Sequence, residues 1–329
     1  MKTILNRLFD HGSLDRDTAR TVLINIAQEK YNYAQIASFL TVYLMRSITV
    51  DELAGFREAL LELCLPAKLQ ADKTIDVCGT GGDGKDTFNI STLTAFVVAG
   101  AGYKVVKHGN YSVSSSCGSS NVLEYFGAEF TNETDKLNKQ LEKAGICFLH
   151  APLFHPAMKT VAPVRRELGI KTFFNMLGPL VNPAQPTHQM IGVFSLELAR
   201  MYHYLLQEED VEYAVLYDLA GYDEISLTGK IKLFTRRYEK LIDPGDTFGQ
   251  RFKEKDLFGG QTVKEAAEIF EQVLTNKGTE AQVQVVLANA AMAIQRFQLD
   301  KSIEDCVEEA RSSLVSGKAN EAFKSFLNN

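Results

Sequence analysis

The sequence has no apolar run approaching the roughly 18 residues that cross a bilayer, so no membrane-spanning segment is expected. No export signal is expected either, because MKTILNRLFDHGSLD places Asn6, Arg7 and Asp10 where a signal peptide needs an unbroken apolar stretch. The five cysteines, Cys64, Cys78, Cys117, Cys147 and Cys306, are odd in number, scattered and never in CxxC spacing. That pattern excludes a disulfide framework and a cysteine zinc site, and it fits a reducing, cytoplasmic setting. No long Lys/Arg run is present, and a net charge of −6 repels a polyanion unless cations segregate on one face. Nucleic acid and membrane are therefore not expected partners. Internal repeats and low-complexity tracts are also missing.

What is present is an ordinary globular composition, 45% apolar and 23% charged. At 329 residues the chain exceeds the size of a single growing core, so two packed units are expected. Residues 1–66 read as a helical domain, with capping boxes at Asn32/Gln35 and Thr49/Glu52 and an apolar face of Leu53, Phe56, Leu60 and Cys64. Residues 72–329 alternate short strands with glycine turns and helices, the order of a mainly parallel sheet flanked by helices. Strands are expected at 74–78, 104–107, 147–150, 190–194 and 211–218, and a hairpin over 224–234 turning at 228–230. Residues 155–180, with Pro163, Gly178 and Pro179, break this rhythm and are expected to pack back on the N-terminal helices. Another capping box, Thr262/Glu265, opens a helical C-terminal region.

Two segments carry chemistry. DVCGTGGDGKDTFNIST, residues 76–92, sets four glycines and several hydroxyls between a strand and a helix, where free NH groups and the helix N-terminus make an anion site. Gly79, Gly81 and Gly84 spell GxGxxG, yet 98–104 holds no acid for a ribose hydroxyl, so the dinucleotide reading fails. Gly79 to Lys85 spells GxxxxGK, yet Asp86 stands where a P-loop needs Ser or Thr. Asp83 would repel bare phosphate and is expected to bind loop NH groups, a sugar hydroxyl or a metal-bound water. KHGNYSVSSSCGSSNVLE, residues 107–124, repeats the logic: Lys107 supplies charge, Ser112 and Ser114 to Ser116 donors, and Asn121 with Glu124 a helix cap. His108 is either a base or a structural hydrogen-bonding group. Cys78 and Cys117 read as packing residues.

The runs GTGGDG, FNIST, KHGN, Gly118-Ser119, HPAMKTVAPVRRELGIKTFFNMLGPLVNP and GYDEIS, in this order, resemble anthranilate phosphoribosyltransferases over nearly the whole chain. That family transfers the phosphoribosyl group of phosphoribosyl pyrophosphate (PRPP) to the amine of anthranilate, releasing pyrophosphate, in tryptophan biosynthesis. The resemblance assigns Gly79, Gly82, Asp83, Thr87, Asn89, Ile90, Ser91, Thr92, Lys107 and Ser119 to PRPP, with His108, Gly109, Asn110, Tyr111, Ser112, Val113, Ser114 and Ser115 as a covering loop. Gly79, Asn110 and Arg165 would meet anthranilate, and Ser91, Asp223 and Glu224 would hold Mg2+, two ions per subunit. By themselves, Asp223 and Glu224 also read as solvated acids in a turn, and Arg165 as a helix-surface charge. The resemblance further implies a homodimer through the helical domain. No residue is expected to act as nucleophile or base, since an aromatic amine is already a neutral nucleophile and positioning suffices.

Two other readings compete: a pyrimidine nucleoside phosphorylase of the same fold, and a nucleic-acid-binding relative that should have lost the acids and gained a basic face. The match also has departures. Tyr111 stands where the family commonly carries Arg, and Cys117, Ser120 and Asn121 where it carries Ser, Ala and Asp.

Overall fold

The computed structural model describes residues 1–112 and 117–329. Val113, Ser114, Ser115 and Ser116, expected in the second loop, lie outside the described residues. The chain divides into two compact units, Met1–Pro66 with Ala151–Pro183 and Ala67–His150 with Ala184–Asn329.

The smaller unit is helical: Lys2–Phe9, Arg16–Ala27, Tyr33–Met45 and Val50–Leu63, joined by Met158–Leu168 from the second segment. Both expected capping boxes form, Asn32 with Gln35 and Thr49 with Glu52, each contributing about 1 kcal/mol. Phe173, carried by the second segment, enters the core of the N-terminal helices. It stacks on Phe56 at 4.4 Å and meets Tyr43 and Phe39 edge-on at 5.1 and 6.1 Å. Glu52 is fully buried in the same unit and accepts from the Leu14 and Thr49 NH groups, the Tyr43 hydroxyl and Arg46. Burial pushes its carboxyl up, but Arg46 and the NH donors outweigh burial and hold it below the ordinary value.

The larger unit is built on a seven-stranded sheet in the order β3-β2-β1-β4-β5-β6-β7. The strands are β1 (Ile75–Gly79), β2 (Val105–Gly109), β3 (Ile146–His150), β4 (His188–Gly192), β5 (Glu212–Asp218), β6 (Ile231–Thr235) and β7 (Glu239–Ile242). The first five are parallel and the last two antiparallel. Strands β1, β2 and β4, inside the sheet, are buried along most of their length, polar residues included. The fold class is the expected one, a small helical domain plus a larger domain on a mainly parallel sheet flanked by helices. Among the described residues no helix is long and apolar enough to cross a membrane.

Three local expectations are corrected. The hairpin is formed by β6 and β7, not over 224–234, and 219–230 is a loop between β5 and β6. Asn121 does not begin a helix: the Ser119–Tyr125 helix starts at Gly118, and Asn121 in its first turn accepts from the Gly118 NH at 3.0 Å and the Ser112 NH at 3.2 Å. Thr262 caps its helix through the Glu265 NH, while the Glu265 carboxylate turns back to the Gln261 NH instead of closing a box.

Candidate functional site

Strand β1 runs beside β4 with Gly79 opposite Gly192, while β2 lies on its other side, so the chain order reverses between β1 and β4. In open parallel sheets such a switch point opens a crevice at the carboxyl ends of the strands. The glycine loop leaves β1 at that point, and the Thr80 NH donates to the Gly192 carbonyl at 3.0 Å. Gly81 has a φ of 64°, a left-handed conformation in which its NH donates to Asp223 Oδ2 at 2.6 Å. A Cβ on Gly192 would fall inside van der Waals distance of the Asp223 carbonyl oxygen, and one on Gly79 would meet the Asp223 carboxylate. Two glycines at paired strand ends therefore allow the Tyr222–Glu224 loop to lie directly on the sheet.

Glu224 reaches the start of the Ile90–Gly100 helix, where its Oε1 accepts from the Ser91 NH at 2.9 Å. A helix N-terminus favours negative charge, so the carboxylate occupies an anion position. Asp83 accepts within its own turn from the Lys85 NH at 3.0 Å. Burial, then the Asp83 charge, pushes Asp223 up, and burial, then Asp223 and Asp83, pushes Glu224 up as well. Lys107 is 2% exposed and opposes this, its Nζ donating to the Val77 carbonyl at 2.7 Å with Ser91 Oγ at 3.4 Å.

Asn89, the residue before that helix, donates to the Cys117 carbonyl at 3.1 Å and so joins the first loop to the second. Thr87 forms a bridge with Phe258, and Ile90 and Thr92 are buried in the first helical turn. In the second loop the buried His108 donates its NH to Asp76 at 3.1 Å, and Gly109 pairs with His150. The Asn110 carbonyl accepts from Ser119 Oγ and the Ser120 NH, both at 3.2 Å. Tyr111 donates its hydroxyl to Glu124 at 2.6 Å, with its ring edge-on to His150 at 4.9 Å. Burial pushes the Cys117 thiol up to about 11, so a thiolate is disfavoured there.

Gly79, Gly82, Asp83, Thr87, Asn89, Ile90, Ser91, Thr92, Lys107 to Ser112, Ser119, Asp223 and Glu224 all belong to the larger unit. Arg165 belongs to the smaller one, on the Met158–Leu168 helix. Its Nη2 lies 3.4 Å from Asn175 Oδ1 and its guanidinium 5.4 Å from the Phe174 ring centre. Pro163 lies within that helix and Gly169 ends it in a left-handed turn. Burial lowers the Arg165 pKa from its ordinary value, as expected for a cation without a carboxylate beside it.

Among the described residues, no group of three or more His, Cys, Asp or Glu side chains is gathered for a metal ion. The local set is the buried Asp223 carboxylate, the half-buried Glu224 carboxylate and one hydroxyl, hard oxygen donors of the kind magnesium takes when substrate and water complete its shell. The mutual repulsion of Asp223 and Glu224, with Lys107 as the opposing cation, fits a site that a divalent ion would neutralise.

The family model described as the glycosyl transferase family a/b domain matches residues 71–320, and that of the family's helical bundle domain matches residues 2–64. The anthranilate phosphoribosyltransferase of Flavobacterium psychrophilum is 58% identical, covering 98% of both chains, and that of Bacteroides fragilis 54%, covering 99% of both. The chain belongs to the anthranilate phosphoribosyltransferase family. Among solved members, the Thermus thermophilus enzyme superimposes with a TM-score of 0.91 at 30% identity, covering 99% of both chains. The Saccharomyces cerevisiae enzyme in complex with PRPP and Mg gives 0.90 at 26% identity, covering 98% of this chain and 96% of that one.

Sequence reasoning within this family missed Gly192, Asp218 and Asn289, which shape the acid loop without belonging to any motif. A glycine ending a strand was the one visible signal, at Gly192.

Proposed function

We propose that this family member transfers the phosphoribosyl group of PRPP to the amine of anthranilate, with pyrophosphate leaving, and that magnesium is its metal. The observation that carries this reading is the pairing of loop NH groups with acids. Gly81 and Ser91 present the NH groups an anion needs, and Asp223 and Glu224 occupy them. A bare phosphate would have to displace two carboxylates, whereas a magnesium-bound one arrives with the cation that draws those carboxylates off. Magnesium, when bound, would neutralise the charge that develops on the leaving pyrophosphate.

In this reading Ser91, Asp223 and Glu224 hold the metal, two ions per subunit. The larger unit binds PRPP through Gly79, Gly82, Asp83, Thr87, Asn89, Ile90, Ser91, Thr92, Lys107 and Ser119, together with residues 108–112. Lys107 adds positive field beneath the acid pair, and the NH groups of the glycine loop stabilise negative charge as it grows. Gly79, Asn110 and Arg165 meet anthranilate, the guanidinium fork matching its carboxylate. The amine attacks without a protein nucleophile or base, so orientation supplies the chemistry. The helical unit forms a homodimer, a reading supported by the exposure of Phe9, Leu44 and Met45 on it. No observation favours the nucleoside phosphorylase or the nucleic-acid-binding relative.

Loss of anthranilate fluorescence should require both PRPP and magnesium; no magnesium-dependent consumption would refute the assignment. Arg165→Ala should raise KM for anthranilate about tenfold or more while moving KM for PRPP little, since hydrogen bonds to a charged partner are worth about 1.5–3 kcal/mol. Equal effects on both substrates would remove Arg165 from the anthranilate site.

A further inference from the structure

The Glu280–Phe297 helix is buried along most of its length, and from Val285 to Ile294 its residues are apolar except Asn289, which is 1% exposed. A carboxamide in such a place is costly unless its hydrogen bonds are made. Asn289 makes them with a distant residue and with its own helix: Oδ1 accepts from the Ile225 NH at 3.1 Å, and Nδ2 donates to the Ile225 carbonyl at 2.9 Å and to the Val285 carbonyl, one turn back, at 2.8 Å. Ile225 lies in a loop with no neighbouring strand, so the side chain replaces the ladder partner that a strand would have supplied. The residue it grips directly follows Glu224.

The same loop is held at its other ends. Asp218, buried at the end of β5, accepts from the Ala220 NH at 2.9 Å, the Ser226 NH at 3.2 Å and the Ser226 hydroxyl. Gly192 leaves room for the Asp223 main chain. Position 223 is therefore set from the sheet, 226 from β5 and 225 from the Glu280–Phe297 helix, and Glu224 has little freedom beyond its own side-chain torsions. Leucine at 289 would fill the same space without a polar group, but would leave both main-chain groups of Ile225 buried and without the partners Asn289 supplies.

We infer that Asn289 is a positioning residue for the metal-facing acid pair, acting through the main chain of Ile225 to set where Glu224 and Asp223 point. The inference rests on the reading that these acids hold magnesium. Its test uses Mn2+ as probe, with free ion followed by electron paramagnetic resonance in the presence of PRPP, on the full chain and four variants. Asn289→Ala should weaken Mn2+ binding about tenfold, the lower end of what loss of a ligand-supporting partner usually costs. It should raise the magnesium needed for half-maximal rate by a similar factor and leave KM for anthranilate unchanged. Asn289→Asp, which keeps an acceptor for the Ile225 NH, should recover part of the loss and carries the comparison if the alanine variant does not fold. Val286→Ala, on the same helix and leaving the Asn289–Ile225 hydrogen bonds in place, should lower the melting temperature while binding Mn2+ as the unmodified protein does. Wild-type Mn2+ binding in both Asn289 variants, alongside a lowered melting temperature, would overturn the inference and reduce Asn289 to core stability. Glu224→Gln separates the two levels: if it binds Mn2+ as tightly as the unmodified protein, the acid-pair assignment falls first and this inference with it.

Discussion

Gly192 ends β4 where the main chain of Asp223 lies against it, and no side chain can be added there without moving one or the other. Gly192→Ala should cost about 1–3 kcal/mol, as overpacking of a filled interior does, and should weaken magnesium-dependent PRPP binding in the same protein. Denaturant midpoints and calorimetric titration with PRPP check the two effects. An alanine variant that loses stability yet binds PRPP normally would show that the acid loop can shift without consequence. Residues of this kind were not legible in the sequence. Gly79, Asp83, Asn89 and Lys107 stand in contiguous runs whose chemistry can be read side by side, whereas Gly192 and Asn289 owe their importance to a neighbour far away in the chain. Arg165 is intermediate: its residue type suits a carboxylate, but sequence physics alone gives a surface charge, and the family resemblance was needed to set it apart.

At the scale of elements, the second loop is tied to the helix that follows it. Tyr111, in place of the family's common Arg, donates to Glu124 on the Ser119–Tyr125 helix, and Asn121 on the same helix accepts from the Ser112 NH. The departure thus exchanges a cation for a tether. Tyr111→Phe removes the hydroxyl alone and, at an exposed site, about 1 kcal/mol. Steady-state kinetics should show KM for PRPP raised about fivefold with KM for anthranilate unchanged; an unaltered PRPP constant would mean that the tether does not shape the loop. Periodicity located the parallel strands because burial on both faces writes itself as apolar runs. It misplaced the hairpin because Ile225 and Leu227 mimic strand alternation, while Asp218 and Asn289 capture that stretch as a loop.

For the molecule as a whole, histidine burial contributes to the response to acid. Burial pushes His155 down from 6.5 to about 4, and lowers His150, His188 and His203 as well. Each is held neutral in the fold while the unfolded chain takes up a proton below about 6.5, so stability is undiminished above that pH and falls on acidification. For His155 the window runs from 6.5 to about 4, with a slope of at most about 1.4 kcal/mol per pH unit. Urea midpoints at pH 7.5 and pH 5 should therefore fall less for His155→Gln than for the unmodified chain, and a variant that falls equally would deny the residue this role. The parallel-sheet unit and the N-terminal helices were both visible from the change of period near Pro66. The return of residues 155–180 to the helical unit was suggested by broken rhythm alone, since the sequence does not display which aromatic rings will stack.

That return has a consequence for synthesis. The N-terminal helices leave the ribosome first, yet Phe173, which stacks on Phe56 and closes on Tyr43 and Phe39, is encoded about a hundred residues later. At translation rates of about 5–20 residues per second, the nascent chain carries an uncovered aromatic face for about 5–20 seconds before its own next segment arrives to cover it. Slow codons between Pro66 and Phe173 would lengthen that exposure, and a chaperone that holds aromatic surface would be needed most during that interval.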